Sequence, residues 1–179
     1  MTAEMKAKVV FVGKLLKFVE WPVSEGKKGG ERGGARGGEK GGGLEGGGSP
    51  LQFCVEGDRY LSFALARELY GTKAQGRSID VHSLLAEPDL RSCDAVYFAG
   101  ALKGASGSRL AKLQGAKVLT LGEEKGFLDA GGMVEISCKG DTVQFEVNLD
   151  AVRSGGLKID ARLLEMAKSV TRARRTVSD

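Results

Sequence analysis

The chain has 179 residues, which is enough for one domain with a hydrophobic core. Its 41% hydrophobic and 28% charged content is typical of a soluble globular protein, and no apolar run approaches the ~20 residues of a membrane span. Six basic and two acidic side chains between residues 158 and 175 account for the net charge of +4, which excludes a basic field over the whole protein. The first residues lack the apolar core of a signal peptide, so we expect a cytosolic protein or a mature chain.

Residues 4–21 place apolar side chains at helical spacing, with lysines off the apolar stripe. This pattern predicts an amphipathic helix that faces a core. Pro22 disfavours helix at the preceding residue, so we expect the helix to stop at Trp21, the only tryptophan.

A glycine-rich segment follows at residues 24–50. It has no hydrophobic periodicity, and glycine loses the most backbone entropy on ordering, so we predict a flexible insertion. Its Arg-Gly-Gly repeats resemble RNA-binding tracts, but the segment has a net charge of only +1 and contains no aromatic residue. We therefore expect no nucleic-acid partner.

Strand and helix patterns then alternate along the chain. We predict strands at 51–57, 77–85, 93–100 and 116–122 and helices at 59–71 and 107–115. This order predicts a single α/β domain over residues 4–170, with a layered, mostly parallel, Rossmann-like sheet built from βαβ units. An antiparallel hairpin is expected at 131–148, a closing helix from about Asp160, and a disordered basic tail at 171–179.

Catalytic and metal-binding constellations are missing from the sequence. His82 is the only histidine and lies inside a predicted strand, and no closely spaced ligand set exists for zinc. The stretch from Gly71 to Ser78 resembles a phosphate-binding loop, but it follows a helix and opens a strand, which is the wrong context. We therefore expect no enzyme activity, no metal and no cofactor.

Three cysteines allow at most one internal bridge. Cys54 lies in the first predicted strand and Cys93 opens the third, so neighbouring strands would bring them within bonding range. In a reducing cytosol both would instead be small buried hydrophobic residues. Cys138 lies near the hairpin turn and would be left over.

Several segments, in order, resemble the YfiR-like family of periplasmic regulatory proteins. They are "KFVEWP", "CVEGD", "GRSIDV", "CDAVYFAG", "VLTLGEEKGFLDAGGMVEI" and "VQFEVNLDAVRSGGLKIDARLLEMAK". The resemblance implies a periplasmic, non-enzymatic regulator, often dimeric, that represses a membrane-bound diguanylate cyclase of the YfiN type or a sensor kinase by binding its periplasmic domain. It also implies a disulfide between Cys54 and Cys93.

Two groups of residues are candidates for a partner or ligand surface. The first group is Glu20, Trp21 and Pro22. The alternative role for Trp21 is structural, as a side chain that only packs against the core. Glu146 and Asn148 form the second, although Asn148 is also suited to cap a helix.

Two further functions are alternatives to the regulator, although we expect no nucleic-acid partner. A small-molecule sensor would use the strand ends of the sheet, near Gly57-Asp58 and Gly100. A nucleic-acid binder would use the Arg-Gly repeats and the basic tail, and its binding would fall steeply with salt.

Overall fold

The computed structural model describes residues 1–22, 48–84, 89–100 and 105–171. The helices among them are α1 (Ala3–Lys17), α2 (Arg59–Glu68), α3 (Ala105–Lys112), α4 (Leu149–Ser154) and α5 (Ala161–Met166), with a 3₁₀ turn at Leu90–Ser92. The strands are β1 (Val19–Glu20), β2 (Leu51–Glu56), β3 (Lys73–Ala74), β4 (Arg77–Leu84), β5 (Ala95–Phe98), β6 (Leu119–Gly122), β7 (Val134–Lys139), β8 (Thr142–Asn148), β9 (Lys158–Ile159) and β10 (Ser169–Thr171). No helix in the described ranges is long and apolar enough to cross a membrane.

The main sheet has the strand order β10-β8-β7-β6-β5-β2-β4-β3. The run from β7 through β6, β5 and β2 to β4 is parallel, and β8 pairs antiparallel with β7 as the predicted hairpin. The predicted α/β class with a mostly parallel sheet is therefore confirmed. The chain leaves β2 for β4 on one side and then returns to β5 on the other, so the strand order changes direction at β2.

Helices pack against both faces of this sheet. On one face α1 and α2 cover β2 and β5, where Val12, Leu65, Phe53 and Tyr97 belong to the larger core. On the other face α3 covers Val96 and Phe98, together with Phe127 from the loop before β7. Strands buried on both faces explain why "CDAVYFAG" is an almost continuous apolar run.

The first helix is shorter than the sequence predicts. It begins after the N-cap residue Thr2, whose side-chain oxygen accepts a hydrogen bond from the Met5 N–H. It ends at Lys17 rather than at Trp21. Val19 and Glu20 instead pair antiparallel with β9. The pairing with β9 sets the end of the helix because it buries the β-branched side chain of Val19 completely. A helical pattern of local residues contains no information about this distant partner strand.

The C-terminal part also differs from the expected long closing helix. The helix α5 has only six residues, and the chain then returns as β10, parallel to β8. The Lys168 N–H donates to the Phe145 carbonyl and starts this pairing. Residues 24–47 of the glycine-rich insertion predicted at 24–50 lie outside the described residues, whereas residues 48–50 are described and lead into β2. Of the basic tail predicted at 171–179, only Thr171 is described, and it is the last residue of β10.

Candidate functional site

Trp21 lies at the amino-terminal edge of the parallel strands, with only 6% of its surface exposed. Its indole N–H donates to the Asp94 carbonyl at 2.9 Å, and its backbone N–H donates to the Gln75 side chain at 3.1 Å. The side chain is therefore packed and hydrogen-bonded in the way that a buried tryptophan requires. Of its two chain neighbours, Glu20 is exposed and Pro22 is half-buried.

Asp94 organises this edge of the sheet. Its carboxylate accepts from the backbone N–H of Gln52 at 2.8 Å and from the Arg77 guanidinium at 2.9 Å. Arg77 also donates to the backbone carbonyls of Ser49 at 2.7 Å and Pro50 at 3.3 Å. The chain therefore enters and leaves the glycine-rich segment at the same network, a relation that the linear sequence does not reveal.

Glu146 and Asn148 lie on β8. The Asn148 side chain accepts from the Ala151 N–H at 3.2 Å, so it caps α4 as the residue type suggests. Glu146 accepts from the Ser169 hydroxyl at 2.9 Å and thereby joins β8 to β10.

The two predicted groups lie at opposite ends of α4. Asn148 precedes the helix, whereas Pro22 lies beside Gly156, two residues beyond the helix end. A helix of six residues is about 9 Å long, so one partner surface can span both groups.

A cavity of about 350 Å³ opens beside α4 on the α3 face of the sheet. Leu110, Leu113 and Met133 supply apolar walls, and Thr120 and Asn148 supply polar groups. Its volume is within the usual range for small-molecule sites. The lining includes Gly115, Ala116 and Val118, which precede β6, so the cavity lies toward the amino-terminal edge of the parallel strands and away from the strand ends expected from the sequence.

The carboxyl ends of the strands hold an internal polar network instead. Asp58 caps α2 through the Leu61 N–H, and the Gly100 N–H donates to the Glu123 carboxylate at 3.0 Å. Glu56 pairs with Arg109 of α3, with one of its carboxylate oxygens, Oε2, buried and without a hydrogen-bond partner. The groups expected to meet a ligand at this edge are therefore engaged within the fold.

Glu123 joins three groups at this edge, Gly100, Tyr97 and Lys8, and was not singled out from the sequence as a site residue. It accepts from the Tyr97 hydroxyl at 2.6 Å and pairs with Lys8 at 3.0 Å. Burial raises the pKa of Tyr97, and the nearby Glu123 carboxylate raises it further. Burial acts to lower the pKa of Lys8, but its hydrogen bonds to Glu4 and Glu123 outweigh that effect and leave the pKa raised.

The structure joins Cys54 to Cys93 in a disulfide, with a Cα–Cα distance of 6.1 Å. The bridge ties β2 to Cys93, two residues before the neighbouring strand β5, and it is buried under α3. Cys138 is a free thiol of intermediate exposure, and burial raises its pKa. Within the described ranges no cluster of three or more His, Cys, Asp or Glu side chains is arranged to hold a metal ion.

These features define a class: a small α/β protein whose parallel sheet is bridged by a disulfide and extended by an antiparallel hairpin. The model of the YfiR/HmsC-like family, DUF4154, matches residues 44–168. The chain therefore belongs to the YfiR/HmsC-like family, as the sequence resemblance indicates. No curated protein matches the chain.

Among solved structures, the chain is similar to a conserved domain protein from Vibrio cholerae O1 biovar El Tor, with 13% identity and a TM-score of 0.50. The match covers 67% of this chain and 54% of that one. An ABC domain from Streptococcus pneumoniae, solved with L-Trp, has 12% identity and a TM-score of 0.47 over 68% of this chain and 55% of that one. The chain thus spans just over half the length of each structure, and the first likeness concerns the fold alone.

Proposed function

We propose that this protein is a non-enzymatic periplasmic regulator. It represses a membrane-bound signalling enzyme, a diguanylate cyclase or a sensor kinase, by binding that enzyme's periplasmic sensor domain. The observation that carries the proposal is membership of the YfiR/HmsC-like family over residues 44–168. The buried Cys54–Cys93 bridge supports the compartment, because disulfides of this kind persist in oxidising environments.

Repression of this kind needs no chemistry from the protein. A regulator that binds the inactive state of a sensor domain better than its active state shifts the equilibrium toward the inactive state. The size of the shift is set by the ratio of the two affinities, and a shift from 1:99 to 99:1 needs a ratio of about 10⁴.

The surface proposed for this contact surrounds α4. Glu20 and Pro22 lie near one end of the helix, and Glu146 lies on the strand that leads into the other. Trp21 is buried and bonded to Asp94, and Asn148 caps the helix, so we assign both a supporting role and not a direct contact. The accessible carboxylates of Glu20 and Glu146 favour a sensor domain that presents basic side chains.

The test is site-specific photo-crosslinking in the periplasm of the source cells. A photoreactive residue replaces Glu20 or Glu146, and Asp80 serves as the control, since it is exposed on β4 at the far end of the sheet. The expected result is that both test positions capture one membrane protein with a periplasmic sensor segment and a cyclase or kinase domain, and that Asp80 does not. Equal capture from all three positions, or capture from none, would contradict the proposed surface.

A second measurement addresses the function itself. Glu20→Arg combined with Glu146→Arg should relieve repression, seen as a rise in cellular cyclic di-GMP or in kinase output, at unchanged protein level. The variant Asp80→Arg is the matched control and should repress like the wild type. If deletion of the whole protein changes neither output, the regulator function is wrong.

The cavity beside α4 favours a second candidate function, a small-molecule sensor. Its apolar walls and its position next to Asn148 would couple an occupant to the same surface. A thermal-shift screen of small metabolites should find a ligand that stabilises the wild type but not Ala151→Leu, which fills the cavity. Equal stabilisation of both proteins by every hit would exclude this cavity.

A further inference from the structure

Exposed aromatic side chains lie on the outer side of α2. Tyr60 (80% exposed), Phe63 (71%) and Tyr70 (89%) belong to this helix and the turn after it. Their spacing of three and seven residues places them on one helical face, opposite Leu61 and Leu65, which are buried in the core. The packing of the domain therefore does not use these three aromatic side chains.

The neighbouring helix α1 exposes lysines on the same side of the sheet. Lys14 and Lys17 are exposed in its last turn. Gly13 of α1 lies against Leu69, which caps α2, so the last turns of the two helices are close together, and Arg67 is exposed in the last turn of α2. We name the exposed side of the two helices the helix-layer face; its residues are Lys14, Lys17, Tyr60, Phe63, Arg67 and Tyr70.

The positive charge of this face is not neutralised within the domain. The two helices together contain six basic side chains and two acidic ones. One of the acids, Glu4, pairs with Lys8 at 2.7 Å, which leaves Glu68 as the other. None of the three cations of the helix-layer face forms an ion pair with a residue in the described part of the chain. A surface that complements this face is therefore negatively charged.

The residue types favour a lipid bilayer as this negative surface. Lysine is depleted from protein–protein interfaces, so a face with two exposed lysines is not typical of one. Lysine and arginine beside tyrosine and phenylalanine are typical of proteins that lie on a bilayer, where the rings reach the headgroup level and the cations meet anionic lipids. The six side chains project from the outer sides of two packed helices, an arrangement that suits an extended surface.

We propose that the helix-layer face docks on the surface of an anionic phospholipid bilayer. Its three cations meet the lipid phosphates, and its three aromatic side chains enter the headgroup layer. Each Lys or Arg near an anionic surface strengthens binding about fivefold, so the three cations together give a preference of roughly a hundredfold for anionic over neutral lipid. The attraction is screened over a Debye length of about 8–10 Å at ordinary salt, so the docking is peripheral and reversible.

Flotation of the full chain with lipid vesicles tests the docking. The wild type should bind vesicles of phosphatidylcholine with about one-third phosphatidylglycerol, should not bind vesicles of phosphatidylcholine alone, and should dissociate at about 0.5 M salt. Lys14→Glu combined with Lys17→Glu should weaken this binding at least about tenfold at unchanged Tm. Phe63→Ser should weaken it severalfold, also at unchanged Tm.

The matched control is Lys112→Glu combined with Lys117→Glu. It changes the net charge by the same amount, but Lys112 lies on α3, across the sheet, and Lys117 lies between α3 and β6. Both side chains are exposed, and this variant should bind like the wild type. Equal binding to neutral and anionic vesicles, binding to neither, or an equal loss in both double variants would overturn the proposal.

A fluorescent label locates the contact in a Cys138→Ser background. An environment-sensitive fluorophore on Tyr70→Cys should shift to shorter wavelength when anionic vesicles are added, whereas the same label on Lys112→Cys should not. This comparison distinguishes docking by the helix-layer face from a general attraction of the basic residues between 158 and 175. No shift at Tyr70→Cys, or equal shifts at both positions, would overturn the assignment to this face.

A nucleic acid is the other anionic polymer that basic and aromatic side chains bind. A single-stranded oligonucleotide at equal phosphate concentration should not displace the wild type from the anionic vesicles, and displacement would overturn the assignment to lipid. The vesicles contain no protein, so this inference does not depend on the proposed repression of a membrane enzyme. Its failure would leave that proposal intact.

Discussion

The indole N–H of Trp21 donates to the backbone carbonyl of Asp94, 73 residues further along the chain, at 2.9 Å. The same carbonyl accepts from the Leu119 N–H at 2.9 Å, while the carboxylate of Asp94 binds Gln52 and Arg77. One residue thereby connects the N-terminal segment to the starts of β2, β4 and β6. This relation explains why the only tryptophan precedes the glycine-rich segment.

Replacing Trp21 should therefore affect stability first. Trp21→Ala should lower the free energy of unfolding by about 3–5 kcal/mol, because it removes a large buried side chain. Trp21→Phe keeps most of the packing and loses the hydrogen bond, so it should cost about 1–2 kcal/mol. Urea denaturation measures both values, and an Ala variant as stable as the wild type would favour a recognition role for Trp21.

The shared anchorage of the two ends of the glycine-rich segment predicts that the fold does not need residues 23–47. A six-residue Gly/Ser linker in their place should keep the fold, because Trp21 bonds to Asp94 on one side of the segment and Gly48 lies beside Arg77 on the other. The sequence predicts that these residues are flexible, so shortening the connection from 25 residues to six should raise stability by about 1 kcal/mol through the lower entropy of loop closure. Thermal unfolding with circular dichroism tests this, and a lost transition would show that the segment packs against the domain.

The Cys54–Cys93 bridge closes a loop between residues 39 apart, so it should contribute about 3–4 kcal/mol by restricting the unfolded chain. Reducing agent should lower the Tm of the wild type but leave a Cys54→Ser/Cys93→Ser variant unchanged. Cys138→Ser is the control and should respond to reduction like the wild type. A melting curve that reduction does not alter would contradict a structural role for the bridge.

Phe127 fits between two glycines, Gly122 and Gly132. A Cβ atom added at either glycine would lie closer to the ring than the 3.0 Å that real Cβ atoms keep. Gly132→Ala should therefore cost about 1–3 kcal/mol by overpacking, and Phe127→Leu in the same chain should recover part of that loss. Gly107→Ala on α3 is the matched control, since it has open space and should be neutral or stabilising.

Alkaline pH should destabilise the protein through Tyr97 and Lys8. The pKa of each group is raised in the folded state, from ordinary values of 10.0 and 10.5, so the folded chain binds these protons more tightly than the unfolded chain. Their contribution is complete below about pH 10 and is lost as the pH rises further, by up to ~1.4 kcal/mol per pH unit for Tyr97.

The measurement is the Tm between pH 8 and 11.5 in a Cys138→Ser background, which prevents disulfide exchange by the free thiol. Tyr97→Phe should be less stable at pH 8, where it loses the hydrogen bond to Glu123, but its Tm should fall less steeply above pH 10. Parallel curves for the two proteins would exclude Tyr97 as the source of the alkaline dependence.

The sequence by itself determined the order of the main strands and helices and the parallel class of the sheet. It did so because hydrophobic periodicity and turn residues are local signals. The cap at Asn148 was predictable for the same reason, since a capping side chain bonds its own backbone neighbours. The segment "VLTLGEEKGFLDAGGMVEI", which contains Gly122, Phe127 and Gly132, was also visible as part of the family resemblance. The sequence did not show why the two glycines are needed, which is that the Phe127 ring fits between them.

Tertiary structure decided the remaining features, because each depends on groups distant along the chain. The end of α1 was set by the pairing of Val19 and Glu20 with β9, and β10 formed against a strand more than twenty residues earlier. Glu123 became the partner of Lys8 and Tyr97 only when the sheet brought the three together. The local sequence pattern indicates which residues can be buried. Contacts between residues distant along the chain determine which partners they are buried against.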